Sequence, residues 1–126
     1  MPKSVVLALA LVAGSSFVSA AHADCKNART LPEYDACAKA EFTEAQKKMN
    51  FVLRNNIYGS SLFDAKLGKA TQTLFLSYVD SHCAFEGATL LKGGGDRAQL
   101  PSFVMKCKAR MYNGRVTLFS TMLSGG

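Results

Sequence analysis

Four cysteines, Cys25, Cys37, Cys83 and Cys107, constrain this chain of 126 residues more than any other feature. What they do depends on the compartment. In a reducing cytosol four thiols point to a metal site or redox chemistry, whereas outside it an even count in a small chain points to disulfides. The N-terminus decides between these. Residues 1–25 read MPKSVVLALALVAGSSFVSAAHADC. Lys3 is a positive start, Val5 to Ala13 are apolar, and Ala21-His22-Ala23 is the small-x-small pattern of a signal-peptidase site. The apolar stretch is shorter than the about 20 residues an anchoring span needs. Residues 1–23 are therefore expected to be a cleaved signal peptide, with the mature domain at 24–126. Asp24 before Cys25 argues against a lipid anchor on that cysteine. An exported protein, periplasmic or secreted, follows, and with it two disulfides. The spacings of 12, 46 and 24 residues hold no close C-x-x-C pair, so a zinc site is the weaker reading.

Residues 24–126 make one small domain, long enough for a real core yet short enough to gain from staples. The net charge is +6, or +5 once Lys3 leaves with the signal peptide. In a cytosolic protein such a balance would raise nucleic acid as a partner; in an exported one the anionic candidates are lipid head groups, cell-wall polymers or an acidic protein. The plainer reading is solubilising charge on helix surfaces.

Three helical patterns follow. Thr30 and Glu33 have capping-box spacing with Pro32 in the first turn. Leu31, Tyr34, Ala38, Phe42, Ala45, Met49 and Val52 then step by three or four. Asn55 to Ser61 break the pattern. A second helix is expected from about Ser61 to Phe85, burying Phe63, Leu67, Ala70, Leu74 and Tyr78. Residues 86–99 read as a long connection, because Gly93, Gly94 and Gly95 are costly inside a helix. A third helix is expected from about Leu100 to Leu123, with Leu100, Val104, Cys107, Met111, Leu118 and Met122 facing in and Gly114 interrupting it. The expected fold is all-α, an antiparallel three-helix bundle. Its up-down-up order brings Cys37, Cys83 and Cys107 to one end, beside Cys25. Pairing with least intervening chain favours Cys25–Cys37 and Cys83–Cys107, each contributing about 3 kcal/mol. Cross pairing to Cys83 stays geometrically open.

The stretch QTLFLSYVDSHC, residues 72–83, sets Asp80, His82 and Cys83 close together. A cysteine nucleophile beside a base is one reading. Adjacent helical residues point about 100° apart, however, and a disulfide-bonded Cys83 is no nucleophile. A staple with a surface histidine near a helix C-terminus is the better reading, with Asp80 capping or pairing to Arg110 or Arg115. No converging carboxylate pair, metal-ligand cluster or cofactor motif stands out, so neither enzyme activity, metal nor cofactor is expected. KGGGDR, residues 92–97, lacks the order of a phosphate-binding loop. It reads as a flexible connection or as a recognition loop, with Gly93, Gly94, Gly95, Asp96 and Arg97 as the candidate partner-binding residues. Phe42, Phe63, Phe75, Tyr78 and Phe103 have the spacing of core residues. Lys39, Lys47, Lys48, Lys66, Lys69, Lys106, Lys108 and Arg110 are spread over all three helices.

At these residues the chain resembles the small exported proteins with an LprI-like lysozyme-inhibitor domain. The resemblance runs through Cys25 and Cys37 with Ala38 and Glu41, then Ala45 and Met49-Asn50. It continues through Gln72, Phe75, Tyr78, Asp80 and Cys83, the glycine loop, Cys107 and Arg115. Gln46, Phe75 and Val79 stand where the family usually has Asp, Trp and Arg. The resemblance implies a helical, disulfide-bonded envelope protein in which Asn50, Gln72, Phe75, Tyr78, Asp80 and Arg115 are structural. It also implies a protein partner, a lysozyme or related cell-wall hydrolase. The 86–99 loop is the segment expected to enter its cleft and cover the catalytic carboxylates. Two other functions fit the same residues: an immunity protein against a delivered toxin, and an envelope component docking on anionic surfaces.

Overall fold

Thr30 starts the first helix as expected. In the computed structural model, which describes residues 25–125, its hydroxyl accepts from the Glu33 N–H at 3.3 Å. The Glu33 carboxylate reaches back one residue further than the usual box and accepts from the Arg29 N–H at 2.8 Å. Helix α1 spans Leu31–Val52. It runs on through a wide turn at Leu53–Ile57, where the Tyr58 N–H reaches back to the Leu53 carbonyl at 2.8 Å. Asp64 then caps α2, Ala65–Lys92, its carboxylate accepting from the Leu67 N–H at 2.9 Å. A short turn at Arg97–Gln99 leads into α3, Leu100–Leu123, with Pro101 in its first turn. The signal peptide and the Asp24 start lie outside the described residues.

Helix α3 is the centre of the bundle, and both other helices pack chiefly on it. It runs parallel to α1, fixed by the Ser102 hydroxyl donating to the Asp35 carboxylate and, further along, by Phe42 against Tyr112 at 5.5 Å between rings. It runs antiparallel to α2. There Gly87 marks a close approach: a Cβ would lie 2.8 Å from a Leu100 methyl and 3.3 Å from one of Val104, and those side chains would have to shift to admit it. Ala45, Met49, Leu53, Ile57, Val79, Cys83, Cys107, Tyr112 and Phe119 form one continuous core. Two disulfides join Cys25 to Cys37 and Cys83 to Cys107, the pairing of shortest connection. The fold is the expected helical bundle stapled by two disulfides.

Three details differ from expectation. First, α2 turns the opposite face inward: Gln72, Val79, Cys83 and Gly87 are buried, while Leu67, Ala70, Leu74 and Tyr78 face out. Both stripes are apolar at helical spacing, and the bond from Cys83 to Cys107 selects the one containing the cysteine. Second, α2 starts four residues later than expected and runs to Lys92, so residues 86–92 are helix and the connection is short. The glycine run ends that helix in a Schellman arrangement, with Gly95 N–H on the Leu90 carbonyl at 2.9 Å and Gly94 N–H on that of Leu91 at 3.1 Å. Gly94 has φ +88°, and a Cβ on Gly95 would sit 2.6 Å from Leu90 carbons. Third, on α3 the inward residues after Cys107 are Ala109, Tyr112 and Phe119, while Leu118 and Met122 are exposed. No helix among the described residues is long and apolar enough to cross a membrane.

Candidate functional site

In the half of the bundle that holds the disulfides, Cys83 is fully buried and joined to Cys107, leaving no thiolate for nucleophilic or metal chemistry. The Cys25–Cys37 bond is likewise closed, with Glu41 Oε1 at 3.1 Å from Cys25 Sγ. His82 sits a full turn before Glu86 inside α2, not at a helix end, and its Nε2 lies 2.9 Å from Glu86 Oε1. Arg110 Nη2 donates to both oxygens of Glu86 at 2.7 Å. That hydrogen bond, aided by His82, holds the Glu86 carboxyl below the usual range. Asp80 pairs with neither arginine expected for it; Lys108 Nζ reaches its Oδ1 at 2.9 Å. Lys108 leaves α3 toward Asp80, whereas Arg110, two residues on, faces Glu86. Tyr78 is exposed and stacks on the His82 ring at 5.6 Å. These groups form a polar seam between α2 and α3, with no free nucleophile in it.

In the other half, Gln72, Phe75 and Arg115 come together. Arg115 Nε donates to the buried Gln72 Oε1 at 2.9 Å, and Gln72 Nε2 lies 3.5 Å from the sulfur of Met49. The Arg115 guanidinium is sandwiched by Phe75 at 4.5 Å and Phe119 at 4.7 Å from the ring centres. It makes no ion pair with any described carboxylate, and burial draws its pKa down. Beside it lies a groove of about 320 Å³ between the end of α1, the start of α2 and the end of α3. Leu53, Ile57 and Phe119 form its buried floor; Leu67, Leu118 and Met122 its exposed rim. Gln72, Phe75 and Arg115 are named as structural by the sequence resemblance, and Phe63, Leu67, Leu118 and Met122 are expected in the core by their spacing; Leu53, Ile57 and Phe119 are not singled out by the sequence.

Asn50 is exposed on α1, away from both groups. Gly93, Gly94 and Gly95 line a wide depression of about 630 Å³ with Phe85, Leu90 and Phe103. Asp96 caps the following turn, accepting from the Ala98 N–H at 2.9 Å, and Arg97 is exposed. Along the outer face of α2 a second feature leads to this depression. Leu67, Leu74, Tyr78 and Phe85 are 64%, 72%, 57% and 69% exposed and follow one another at helical spacing. The ridge they form is about 27 Å long at the α-helical rise.

Fold and surface thus define a disulfide-stapled helical bundle with an apolar ridge and an apolar groove lined at one point by a cation. No protein-family model matches the chain, no curated protein is significantly similar to it, and no solved structure matches it.

Proposed function

We propose that this chain is an exported, non-enzymatic binding protein that occludes the substrate cleft of a cell-wall hydrolase, a lysozyme or related enzyme. The observation that carries the reading is the outer row Leu67, Leu74, Tyr78 and Phe85. Four large apolar side chains in a line on a rigid helix are the anchors of helix-in-groove recognition, and aromatic anchors dominate interfaces of this kind. Isolated exposed leucines are ordinary, but an aligned set is an interaction surface. A convex ridge fits the long cleft of a glycan hydrolase, whose catalytic carboxylates need substrate access from both faces of the sugar. Lys66, Lys69 and Lys92 lie exposed at the two ends of α2, and the net charge of +5 left after Lys3 departs with the signal peptide steers the chain toward an acidic cleft. The resemblance to lysozyme inhibitors supports the same class of partner. Because residues 86–92 are helical, the inserting element is the ridge itself, with the Gly93–Gly95 tip at its end.

The test is a turbidity assay on peptidoglycan with a panel of acidic and basic hydrolases and excess purified protein. Slowed lysis by at least one enzyme is expected. The double variant Leu74→Asp, Tyr78→Asp keeps its helical circular dichroism and loses about tenfold or more in inhibition, as removal of central anchors does. No inhibition across the panel, or equal inhibition by the double variant, rejects the reading.

A further inference from the structure

We propose that the groove beside Arg115 is a binding site for a single-chain carboxylate, a free fatty acid, with its head on the guanidinium and its tail between α1, α2 and α3. Arg115 carries five N–H donors. Its Nε is committed to Gln72, and the two Nη groups bond to no other described residue. Two phenyl rings and the Gln72 amide hold the guanidinium at the groove, which leaves its Nη fork for a partner. Such a fork accepts a carboxylate through two parallel hydrogen bonds, the arrangement in which arginine outperforms lysine.

What lies beside the fork is apolar. Leu53, Ile57 and Phe119 floor the groove, and Leu67, Leu118 and Met122 expose oily side chains at its edge. Two polar residues also line it. Thr71 is uncharged, and Asp64, whose Oδ1 accepts from the Leu67 N–H at the start of α2, lies outside ion-pair distance of Arg115. Lys69, held over the Tyr58 ring at 5.5 Å, adds positive field at the same end. The result is one anchored cation at the head of an apolar trough, the complement of an anionic head on an apolar tail. A volume of about 320 Å³ stands at the small end of ligand sites and suits one acyl chain rather than a two-chain lipid. The site shares Leu67 with the α2 ridge but not the central anchors Leu74 and Tyr78, so substitutions at Arg115 and at Leu74 and Tyr78 test the two readings separately.

Isothermal titration with dodecanoate, dodecanol and dodecyl phosphate, each below its micellar concentration, tests the proposal. Anionic two-chain vesicles serve as a further arm. Saturable binding of one dodecanoate per chain is expected, about tenfold or more tighter than dodecanol, with dodecyl phosphate weaker than dodecanoate and the vesicles unbound. Arg115→Gln abolishes the preference for dodecanoate while leaving dodecanol binding in place; Leu118→Asp weakens both. Should Arg115→Gln fail to fold, carbon-13 NMR of carboxyl-labelled dodecanoate on the unaltered protein decides: the bound carboxyl must titrate below the free acid. Equal binding of acid and alcohol, tighter binding of the phosphate or the vesicles, an unchanged preference in Arg115→Gln, or a bound carboxyl titrating at or above the free acid overturns it.

Discussion

Where α1 begins and α2 ends, one disulfide joins α2 to α3, a second ties the preceding turn to α1, and ion pairs link the helices. Where α1 ends and α2 begins, packing and the hydrogen bond of Arg115 to Gln72 hold them, with no ion pair or disulfide among the described residues. The first half has Cys25–Cys37, Cys83–Cys107, Glu86 with Arg110, and Asp80 with Lys108. Almost every charged group that faces a neighbouring helix there has its opposite. The second half has an apolar groove and Arg115, a half-buried cation with an amide for a partner in place of a carboxylate. A small bundle that is clamped at one end can leave the other end incompletely satisfied and still stay folded. That difference separates a half that carries stability from a half that is free to carry binding.

The largest expected effect tests that division directly. The Cys83–Cys107 bond closes a loop of 24 residues and the Cys25–Cys37 bond one of 12. In the chain-entropy model these contribute about 3.5 and about 3 kcal/mol respectively. The double variant Cys83→Ala, Cys107→Ala should lose the larger amount in urea unfolding, because both sulfurs are also fully packed in the core. Cys25→Ala with Cys37→Ala should lose less. A loss under about 1 kcal/mol for the first variant would mean that packing, not sulfur, holds this half as well.

The same contrast explains how much was legible in the residues. Cysteine chemistry, capping at Thr30 and the three periodic runs sufficed for helix number, order and the presence of two disulfides, since each is a local or covalent signal. For the pairing they favoured the shortest connections and left cross pairing to Cys83 open. The facing of α2 was not legible from apolarity, because Leu67, Leu74 and Tyr78 form as good a stripe as the buried one. Counting back from Cys83 by four and eleven reaches Val79 and Gln72, and this was the signal available. Residues 86–92 read as loop because the glycines drew the boundary too early, while the helix in fact runs right up to them. The groove was legible least. It is assembled from three distant segments, and nothing in Leu53, Phe63 or Leu118 taken singly announces a cavity.

A smaller effect sharpens the comparison from the other half. Gln72 is buried, accepts from Arg115 Nε and touches the Met49 sulfur. Gln72→Ala should cost about 1–2 kcal/mol in urea unfolding, the range for leaving a hydrogen-bonding group without its partner. In an Arg115→Met background the same substitution should cost less, with a coupling of at least about 0.5 kcal/mol between the two sites. Strictly additive losses would show that Gln72 acts by filling space and that Arg115 is not held by it.

The smallest effect concerns acid. Arg110 first, and then His82, hold the Glu86 carboxyl below its ordinary range in the folded chain. A carboxyl so lowered binds fewer protons folded than unfolded. Its stabilisation is therefore present above the unfolded carboxyl range, near about pH 4.3, and disappears as pH falls through the folded value. The pair is open to solvent on the Arg110 side, so about 0.5 kcal/mol is the appropriate size, roughly 3 °C in Tm for a domain of this length. Between neutral pH and about pH 3 the unaltered chain should lose that much more Tm than Glu86→Gln, and added salt should narrow the gap. Arg115 has no carboxylate to lose, so an Arg115→Gln variant should follow the acid curve of the parent. If the Glu86→Gln and parent curves run parallel instead, the seam between α2 and α3 contributes nothing by charge. The clamped half would then owe its stability to its disulfides and buried side chains alone.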